Sequence, residues 1–452
     1  MTSRDGGLAD AVARRVCSIG PATLPEQACT AVQAHLLDCL GQMIAGRSSD
    51  RVRRASAVDG GLDPVVVLSL ACGALGLDDF DEATRSHPGA MIVPALLVAV
   101  AGQTRPVPGR RLATALALGY ELIAWLGVAM DARHMHPRGR HPSAVLGVPS
   151  VALATAWLTE RDERVVAAAL GIGSGFSFGL TQFDVHEDMR ALQTATAASA
   201  GLRAARFALA GFPAAGQVLE GAGGLLCGDT SRILPVEAIG ATASAVEQVS
   251  FKPYPHFSDL HPAVAALLSA FDGTSPDPRQ VVAIRAILTE RAASRLHTGP
   301  VVNVKDAKRS AAFVLAFALR SITPAGPDLR VPFTEADVAD PGTHALAERV
   351  EVTVVPAPSQ ADPPAAAVEI TLADGRTLAA SSQGYPGDGR DPRLRWTLAE
   401  ARERFDVMVM GEGQHQTMVE TAIHLMDRLV TSDDARGDAR ALIRAVVTPT
   451  GA

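Results

Sequence analysis

The sequence predicts a mainly α-helical protein in which a smaller α+β domain interrupts a large helical one. Apolar residues make up 48% of the 452 residues and aromatic residues only 4%, which is typical of helices packed through alanine and leucine. Apolar positions recur with a helical period from residue 8 to about 245, and this period returns after Thr397. Between about 250 and 395 they alternate instead, as in strands. We therefore expect a discontinuous helical domain of residues 1–248 and 396–452, and an α+β lid domain of residues 249–395.

The helical elements follow from local periodicity. Residues 25–46 and 110–130 each place their apolar side chains on one helical stripe. Thr397 and Glu400 have the spacing of a capping box, so another helix is expected to begin there. The longest uncharged runs, 89–104 and 142–159, are short for membrane spans and contain an interior proline, which favours buried helices.

The strand-like elements lie in the predicted lid. Residues 349–355 alternate with period two, and residues 367–380 indicate two strands joined at Asp374-Gly375. Four prolines between these strands indicate a loop: Pro356, Pro358, Pro363 and Pro364.

Composition narrows the class of protein. The net charge is −7 without a basic run, so nucleic acid is not an expected partner. Five cysteines, an odd number with no C-x-x-C pair, favour reduced thiols and argue against zinc. The first 20 residues lack the apolar core of a signal peptide. We expect a soluble, cytoplasmic protein without a membrane partner.

Two glycine-rich stretches do not support a nucleotide site. Residues 171–179 follow a helical pattern and lack the G-x-G-x-x-G spacing, and residues 221–228 are not followed by Lys-Ser/Thr. Close helix packing or turns explain both stretches more simply, so neither predicts a cofactor.

Histidine is followed by proline three times, and an apolar run follows each pair. The pairs begin at His87, His141 and His261. Proline suits the first turn of a helix, where its missing N–H would be unpaired, and it holds the preceding residue extended. A helix start favours a bound carboxylate and disfavours imidazolium, so a histidine there can act as a neutral base. The plain alternative is that each pair caps a buried helix.

Four acids precede the first of these pairs: Asp78, Asp79, Asp81 and Glu82. Asp79 and Asp81 could orient His87 or accept a substrate hydroxyl, and such crowding would raise the pKa of at least one carboxyl group. A solvated acidic loop is the alternative interpretation.

Lysine is rare, since only three of the 41 basic residues are lysines: Lys252, Lys305 and Lys308. Arginine does not release its proton in practice, whereas a lysine near a cleft can titrate. Lys252 lies at the junction of the helical and α+β parts, nine residues before His261, which makes it a candidate catalytic residue.

Seven stretches occur in the order seen in the MmgE/PrpD family, and the resemblance covers nearly the whole chain. They are LDCLGQMIAG (37–46), LDDFDEATRSHPGAMIVPALL (77–97), GYELIAWLG (119–127), RGRHPSAVLG (138–147), GLTQF (179–183), FKPYPHFSDLHPA (251–263) and GYPGDGRDPRL (384–394). The family includes 2-methylcitrate dehydratase, cis-aconitate decarboxylase and iminodisuccinate epimerase.

The resemblance implies a helical domain split by a lid, a homodimer, and chemistry without a cofactor on small di- or tricarboxylates. Family catalytic residues correspond to Asp79, His87, His141 and Lys252. We expect substrate contacts from residues near these motifs: Asp81, Thr84, His136, Arg138, Gln182, Arg190, His256 and His261.

Several positions depart from the family pattern. His136 and Phe313 stand where tyrosines are usual, and Ser258 stands where a carboxylate-binding arginine is common. Arg190 and Gln193 replace a lysine and a histidine. Arg190 can still bind a carboxylate but cannot shuttle a proton. These changes indicate a different, less charged substrate.

The shared chemistry is removal of a proton beside a carboxylate or carbonyl group, with positive groups holding the enolate. Lys252, His87 or His141 could move the proton, with Asp79 orienting the imidazoles and Arg190 binding substrate. The sequence leaves open which residue is acid and which is base. We therefore predict a lyase first. An epimerase or isomerase is the second hypothesis, and a non-catalytic ligand-binding paralogue is the third. A metal hydrolase is disfavoured because no His/Asp spacing gives a convincing ligand set.

Overall fold

The computed structural model describes residues 6–21, 24–58, 62–182, 187–240, 245–271, 277–323, 326–356, 365–409 and 416–448. The chain divides into two compact units, Met1–Ser250 with Trp396–Ala452, and Phe251–Arg395. The first unit is helical and the second carries a four-stranded sheet. The predicted fold class, mainly α with a smaller α+β part, is confirmed.

The first unit is built from helices on both sides of the insertion. Their bounds are α1 (Leu8–Ser18), α2 (Glu26–Gly46), α3 (Asp50–Ser56), α4 (Pro64–Cys72), α5 (Gly89–Gly102), α6 (Gly109–Ala129), α7 (Pro142–Thr159), α8 (Glu163–Gly175), α9 (Glu187–Leu209), α10 (Ala245–Gln248), α17 (Leu398–Val409), α18 (Gln416–Arg428) and α19 (Arg436–Val447).

Helix α7 forms the centre of this unit and packs against α5, α6, α8 and α9. It is apolar around its whole circumference, which is the pattern of a helix enclosed by others. Helices Gly109–Ala129 and Pro142–Thr159 are long and apolar enough to cross a membrane, but 89% and 94% of their apolar windows are buried within the protein. Burial of this extent is typical of core helices.

The segment after the insertion returns to the N-terminal helices. α17 packs on α2, where a Cβ on Gly41 would lie only 2.7 Å from Met408 Cε and 2.8 Å from Phe405 Cδ2. Glycine therefore allows the two helices to approach closely. Thr397 and Glu400 form the predicted capping box: each side chain accepts the other residue's backbone N–H, at 3.2 and 2.7 Å.

The second unit packs helices around the sheet. Its elements are α11 (His261–Ala270), β1 (Val281–Thr289), α12 (Glu290–Ala293), α13 (Val304–Arg309), α14 (Ala311–Ser321), α15 (Glu335–Val338), α16 (Pro341–Ala347), β2 (Val350–Val355), β3 (Ala366–Leu372) and β4 (Thr377–Ser382). The strand order is β2-β1-β3-β4, with β1 parallel to β2 and the other pairs antiparallel.

Strand prediction succeeded for β2, β3 and β4, including the hairpin at Gly375, whose φ of +86° suits glycine. Strand β1 was not predicted. Its pairing with β3 shifts register between Val281 and Ala283, and this interrupts the alternation that would have revealed it. Residues 357–364 of the predicted proline loop, and Phe183 of the GLTQF motif, lie outside the described residues.

The glycine-rich stretch of residues 171–179, at the end of α8, serves helix packing, as predicted. A Cβ on Gly173 in α8 would lie 3.1 Å from the Cα of Pro149 in α7 and 2.9 Å from the Cβ of Ala152. The two helices therefore approach closely at this glycine.

Candidate active site

Two His-Pro pairs mark helix starts in the first unit, as predicted. His141 is the N-cap residue of α7, whereas Pro88, one residue after His87, is the N-cap residue of α5. The backbone N–H of His87 donates to Ser143 Oγ at 3.1 Å. This bond holds the two helix starts side by side and brings their imidazoles into one region.

The ring of His87 has acceptors on one side and a donor on the other. Nδ1 lies 2.8 Å from the backbone oxygen of Asp79 and 3.0 Å from Asp78 Oδ2. Nε2 lies 3.3 Å from Nη1 of Arg190, a group that can only donate. These contacts place the proton on Nδ1 and leave the lone pair on Nε2.

The carboxylate that orients His87 belongs to Asp78 and not, as expected, to Asp79. Both oxygens of Asp79 accept the backbone N–H of Gly89, at 3.0 and 3.1 Å, and Oδ2 accepts the Tyr120 hydroxyl at 2.8 Å. Asp79 thus serves the start of α5, where a negative charge is favoured. Only its backbone oxygen reaches the imidazole.

His141 is held as a neutral hydrogen-bond donor. Its Nδ1 accepts the backbone N–H of Ala144 at 3.3 Å, which leaves the ring proton on Nε2. The pKa of His141 is lowered to about 3, mainly by burial and to a smaller extent by the charges of Arg190, His136 and His87. The expected neutral imidazole is present, but its basicity is too low for a general base near pH 7, and burial rather than the helix start is the largest cause.

Arg190, on α9, brings a positive charge close to the two histidines. Its guanidinium contacts His87, and its charge acts on His141. Among the described side chains, which do not include those of residues 183–187, no carboxylate lies within 4.0 Å of this guanidinium. A half-buried cation beside two neutral imidazoles favours an anionic ligand.

The acid cluster is not a solvated loop. Asp78, Asp79, Asp81 and Glu82 are 0% to 7% exposed. Thr84, a predicted substrate contact, donates its hydroxyl to Asp81 Oδ2 at 2.6 Å. Burial raises the pKa of Asp81, and the charge of Glu82 adds a smaller contribution. The expected raised carboxyl pKa is therefore present, but Asp81 and Thr84 mainly hold this turn together.

The other residues predicted to bind substrate in the first unit lie further out. The ring of His136 is 5.9 Å from that of His141, edge to face. Arg138 is exposed and lies 3.8 Å from Asp131, and Gln182 is exposed. Of these, only His136 lies against the histidine pair.

In the second unit, Lys252, His256 and His261 are buried together. The rings of His256 and His261 are 4.7 Å apart, and Tyr385 packs edge-on against His261 at 4.8 Å. The pKa of His256 is lowered to about 3 and that of His261 well below its usual value; burial is the largest cause in both, and the charge of Lys252 contributes to both. The sequence-based prediction that Lys252 acts together with His87 and His141 stays a prediction.

His261 also differs from the expectation for a residue before proline. It has helical φ and ψ of −56° and −41°, because a 3-10 turn, Ser258–Leu260, leads directly into α11.

Two departures from the family pattern have structural roles. Phe313 is fully buried and its ring packs 5.7 Å from Phe333, so this position is part of the core. Gln193 accepts the backbone N–H of Leu180 at 2.7 Å and donates to its backbone oxygen at 3.0 Å. It fixes the strand-like contact between Leu180 and Arg140, next to His141.

Sequence reasoning missed a buried polar group beneath the start of α5. His35 Nδ1 lies 3.4 Å from Asp79 Oδ2, and Gln42 donates to Asp38 at 2.7 Å. Burial raises the pKa of Asp38 to about 6. The available signal was three polar residues on the buried face of α2. Among the described side chains, no group of three or more His, Cys, Asp or Glu is arranged to hold a metal ion.

The fold and this site together define a helical protein with an inserted α+β unit and a histidine cluster that can receive an anion. Residues 64–228 match the MmgE/PrpD N-terminal domain, and residues 254–409 match the MmgE/PrpD C-terminal domain. The chain belongs to the MmgE/PrpD family.

A curated relative is the cis-aconitate decarboxylase-like protein oryM of Aspergillus oryzae, 30% identical over 144 residues. The match covers 31% of this chain and 30% of that protein, so less than a third of either. Family and relative support a role of the dehydratase or decarboxylase type in general.

Proposed function

We propose that this protein is a cofactor-independent lyase that moves a proton next to the carboxylate or carbonyl group of a small carboxylate substrate. The observation that carries the proposal is the guanidinium of Arg190, which contacts Nε2 of His87 at 3.3 Å and whose charge acts on buried His141, without a carboxylate partner among the described side chains. A substrate carboxylate would complete this arrangement through a bidentate ion pair.

The geometry favours His87 as the base. Its Nε2 carries the lone pair, and the Asp78 carboxylate lies 3.0 Å from Nδ1 on the opposite side of the ring. When Nε2 takes a proton from the substrate carbon, the C–H electron pair passes into an enolate and the ring becomes imidazolium. The Nδ1–H bond to Asp78 then becomes charge-assisted, which stabilises the product of the transfer.

The geometry favours His141 as a hydrogen-bond donor to the developing enolate oxygen. Its ring proton lies on Nε2, because Nδ1 accepts a hydrogen bond from the backbone of α7. A neutral imidazole at a helix start can polarise a carbonyl group in this way.

Two outcomes are compatible with the same enolate. In a dehydratase, hydroxide leaves the neighbouring carbon with a proton as water, and a carbon–carbon double bond forms. In a decarboxylase, loss of CO2 leaves its bonding electron pair on carbon as the carbanion, which takes a proton that His87 has first acquired from solvent. The relative's name makes cis-aconitate a sensible member of the first substrate panel.

Incubation with small di- and tricarboxylates in deuterated water, followed by NMR, tests the proposal. We expect either loss of water, or loss of CO2 with uptake of one deuterium in its place, and we expect neither reaction in His87→Gln. His134→Gln, which changes a histidine with a 47% exposed side chain, is the matched control and retains activity. Deuterium uptake without net product would indicate the epimerase instead. Binding without any uptake would indicate the non-catalytic paralogue.

Full activity in His87→Gln would refute the assignment of the base. Lys252→Ala tests the remaining sequence prediction, because full activity in that variant would remove Lys252 from the mechanism.

A further inference from the structure

We propose that Arg190 blocks the base His87 in the empty protein and that a substrate carboxylate releases it. This inference rests on the proposed function, since it assigns His87 as the base. It adds a role for Arg190 beyond substrate binding: the residue couples occupation of the site to exposure of the reactive nitrogen.

The first step is that both ring nitrogens of His87 are engaged. Nδ1 is directed at the Asp79 backbone oxygen and the Asp78 carboxylate, and Nε2 receives the Arg190 N–H at 3.3 Å. His87 is only 8% exposed. A proton donor can therefore reach Nε2 only after the guanidinium has moved.

The second step is the competition for the guanidinium. In the empty site Arg190 donates to a neutral nitrogen, whereas a carboxylate offers two negatively charged oxygens in a matching geometry. No carboxylate among the described residues already holds Arg190 within 4.0 Å. An incoming carboxylate is consequently the stronger partner and draws the guanidinium away from His87.

The third step concerns charge after proton transfer. His87 imidazolium beside an unpaired guanidinium would be disfavoured by repulsion, and a carboxylate paired with Arg190 removes that repulsion. Binding of a free carboxylate thus both uncovers the base and permits its protonation. Esters and amides lack the charge needed for this release, so the substrate class is restricted to free acids.

The test uses diethyl pyrocarbonate, which acylates an unprotonated imidazole nitrogen and releases ethanol and CO2. Mass spectrometry of the peptide containing His87 gives the rate at this residue. Arg190→Met keeps the length of the side chain but cannot donate, whereas Arg190→Lys keeps a donor. We expect His87 in Arg190→Met to react roughly 10-fold faster or more, the factor that loss of one hydrogen bond from a charged donor allows. Arg190→Lys should remain near the wild-type rate.

The rate at exposed His134 serves as an internal standard, and circular dichroism confirms that the variants are folded. Nitrogen-15 NMR gives a second readout. Malonate added to the wild type should shift the Nε2 resonance of His87 towards that of an unbonded imine nitrogen, and dimethyl malonate should not.

Equal His87 rates in the wild type and Arg190→Met would overturn the inference, and the proposed function would still stand if the wild type removes water or CO2 from an acid. A faster rate in Arg190→Met, with no loss of water or CO2 from any acid by the wild type, would support the block and refute the lyase. The two failures are therefore distinguishable.

Discussion

Replacing Asp79 by alanine tests whether this buried carboxylate supports the start of α5 rather than the chemistry. Asp79 is 0% exposed and accepts the Gly89 N–H with both oxygens and the Tyr120 hydroxyl with one. Both donors, Gly89 and Tyr120, are themselves buried. Asp79→Ala would leave them without this acceptor in the protein interior.

The magnitude follows from those donors. Each buried polar group left without a partner costs about 1–3 kcal/mol, so the two together cost roughly 2–6 kcal/mol. Removal of the negative charge offsets part of this cost, because Asp79 lies close enough to Asp38 to raise its pKa. We expect a net loss of about 2–4 kcal/mol in the free energy of unfolding, and about 1–2 kcal/mol for Tyr120→Phe, which removes one of the hydrogen bonds.

Urea unfolding followed by tryptophan fluorescence is a suitable assay. All three tryptophans, Trp125, Trp157 and Trp396, belong to the first unit, so the signal reports the unit that contains Asp79. The double variant Asp79→Ala/Tyr120→Phe should show a coupling energy of about 1–2 kcal/mol, because one hydrogen bond joins the two side chains. A loss below about 0.5 kcal/mol in Asp79→Ala would refute the structural role.

Three further predictions use the same unfolding assay. Gly89→Ala should cost about 2 kcal/mol or more, because its Cβ would lie within 2.9 Å of a thiol, a carboxylate and a phenol; Gly102→Ala, at the open end of the same helix, should cost nothing. Burial keeps Asp38 protonated up to about pH 6, whereas the unfolded side chain loses its proton near pH 4. The free energy of unfolding of the wild type should therefore fall, relative to Asp38→Asn, by up to about 3 kcal/mol as pH rises from about 4 to about 6; parallel pH curves would contradict this. Thr397→Ala should cost about 1 kcal/mol through loss of the capping bond, and Glu400→Gln, which keeps an acceptor, clearly less.

The sequence predicted the elements whose signal is local. The helix of residues 25–46, the hairpin at Gly375 and the capping box at Thr397 each depend on residues within a few positions of one another. Strand β1 lacks a clear local signal, because the shift of register between Val281 and Ala283 interrupts the alternation that would indicate a strand. Only its pairing with the distant strands β2 and β3 defines it.

Prediction of the candidate site from the sequence was limited in the same way, but for individual side chains. The motifs selected His87, His141 and Arg190, and the structure places them together in the first unit. The motifs did not distinguish Asp78 from Asp79 as the partner of His87. Adjacent side chains in a tight turn point in different directions, and only the folded backbone determines which one meets the ring.

The different roles of the two histidines arise from a shift of one residue between two nearly identical motifs. In HPSA, His141 is itself the N-cap residue, so its Nδ1 is used by the backbone of α7 and its proton must sit on Nε2. In HPGA, the N-cap position falls on Pro88, whose side chain has no acceptor, and the carboxylate of Asp79 accepts the Gly89 N–H instead. Because Asp79 caps the helix, the His87 ring does not have to accept a backbone N–H of α5. Asp78 can therefore set the opposite tautomer in His87.

The same one-residue shift of the N-cap position explains why residue 89 is a glycine. The Asp79 carboxylate can reach the start of α5 only because residue 89 has no Cβ, since that atom would lie 2.8 Å from Asp79 Oδ2. The corresponding residue in the second motif, Ser143, keeps its side chain and uses it to accept the His87 backbone N–H. One motif thus yields a lone pair on Nε2 and the other an N–H donor on Nε2, which is the pairing that proton abstraction and enolate stabilisation require.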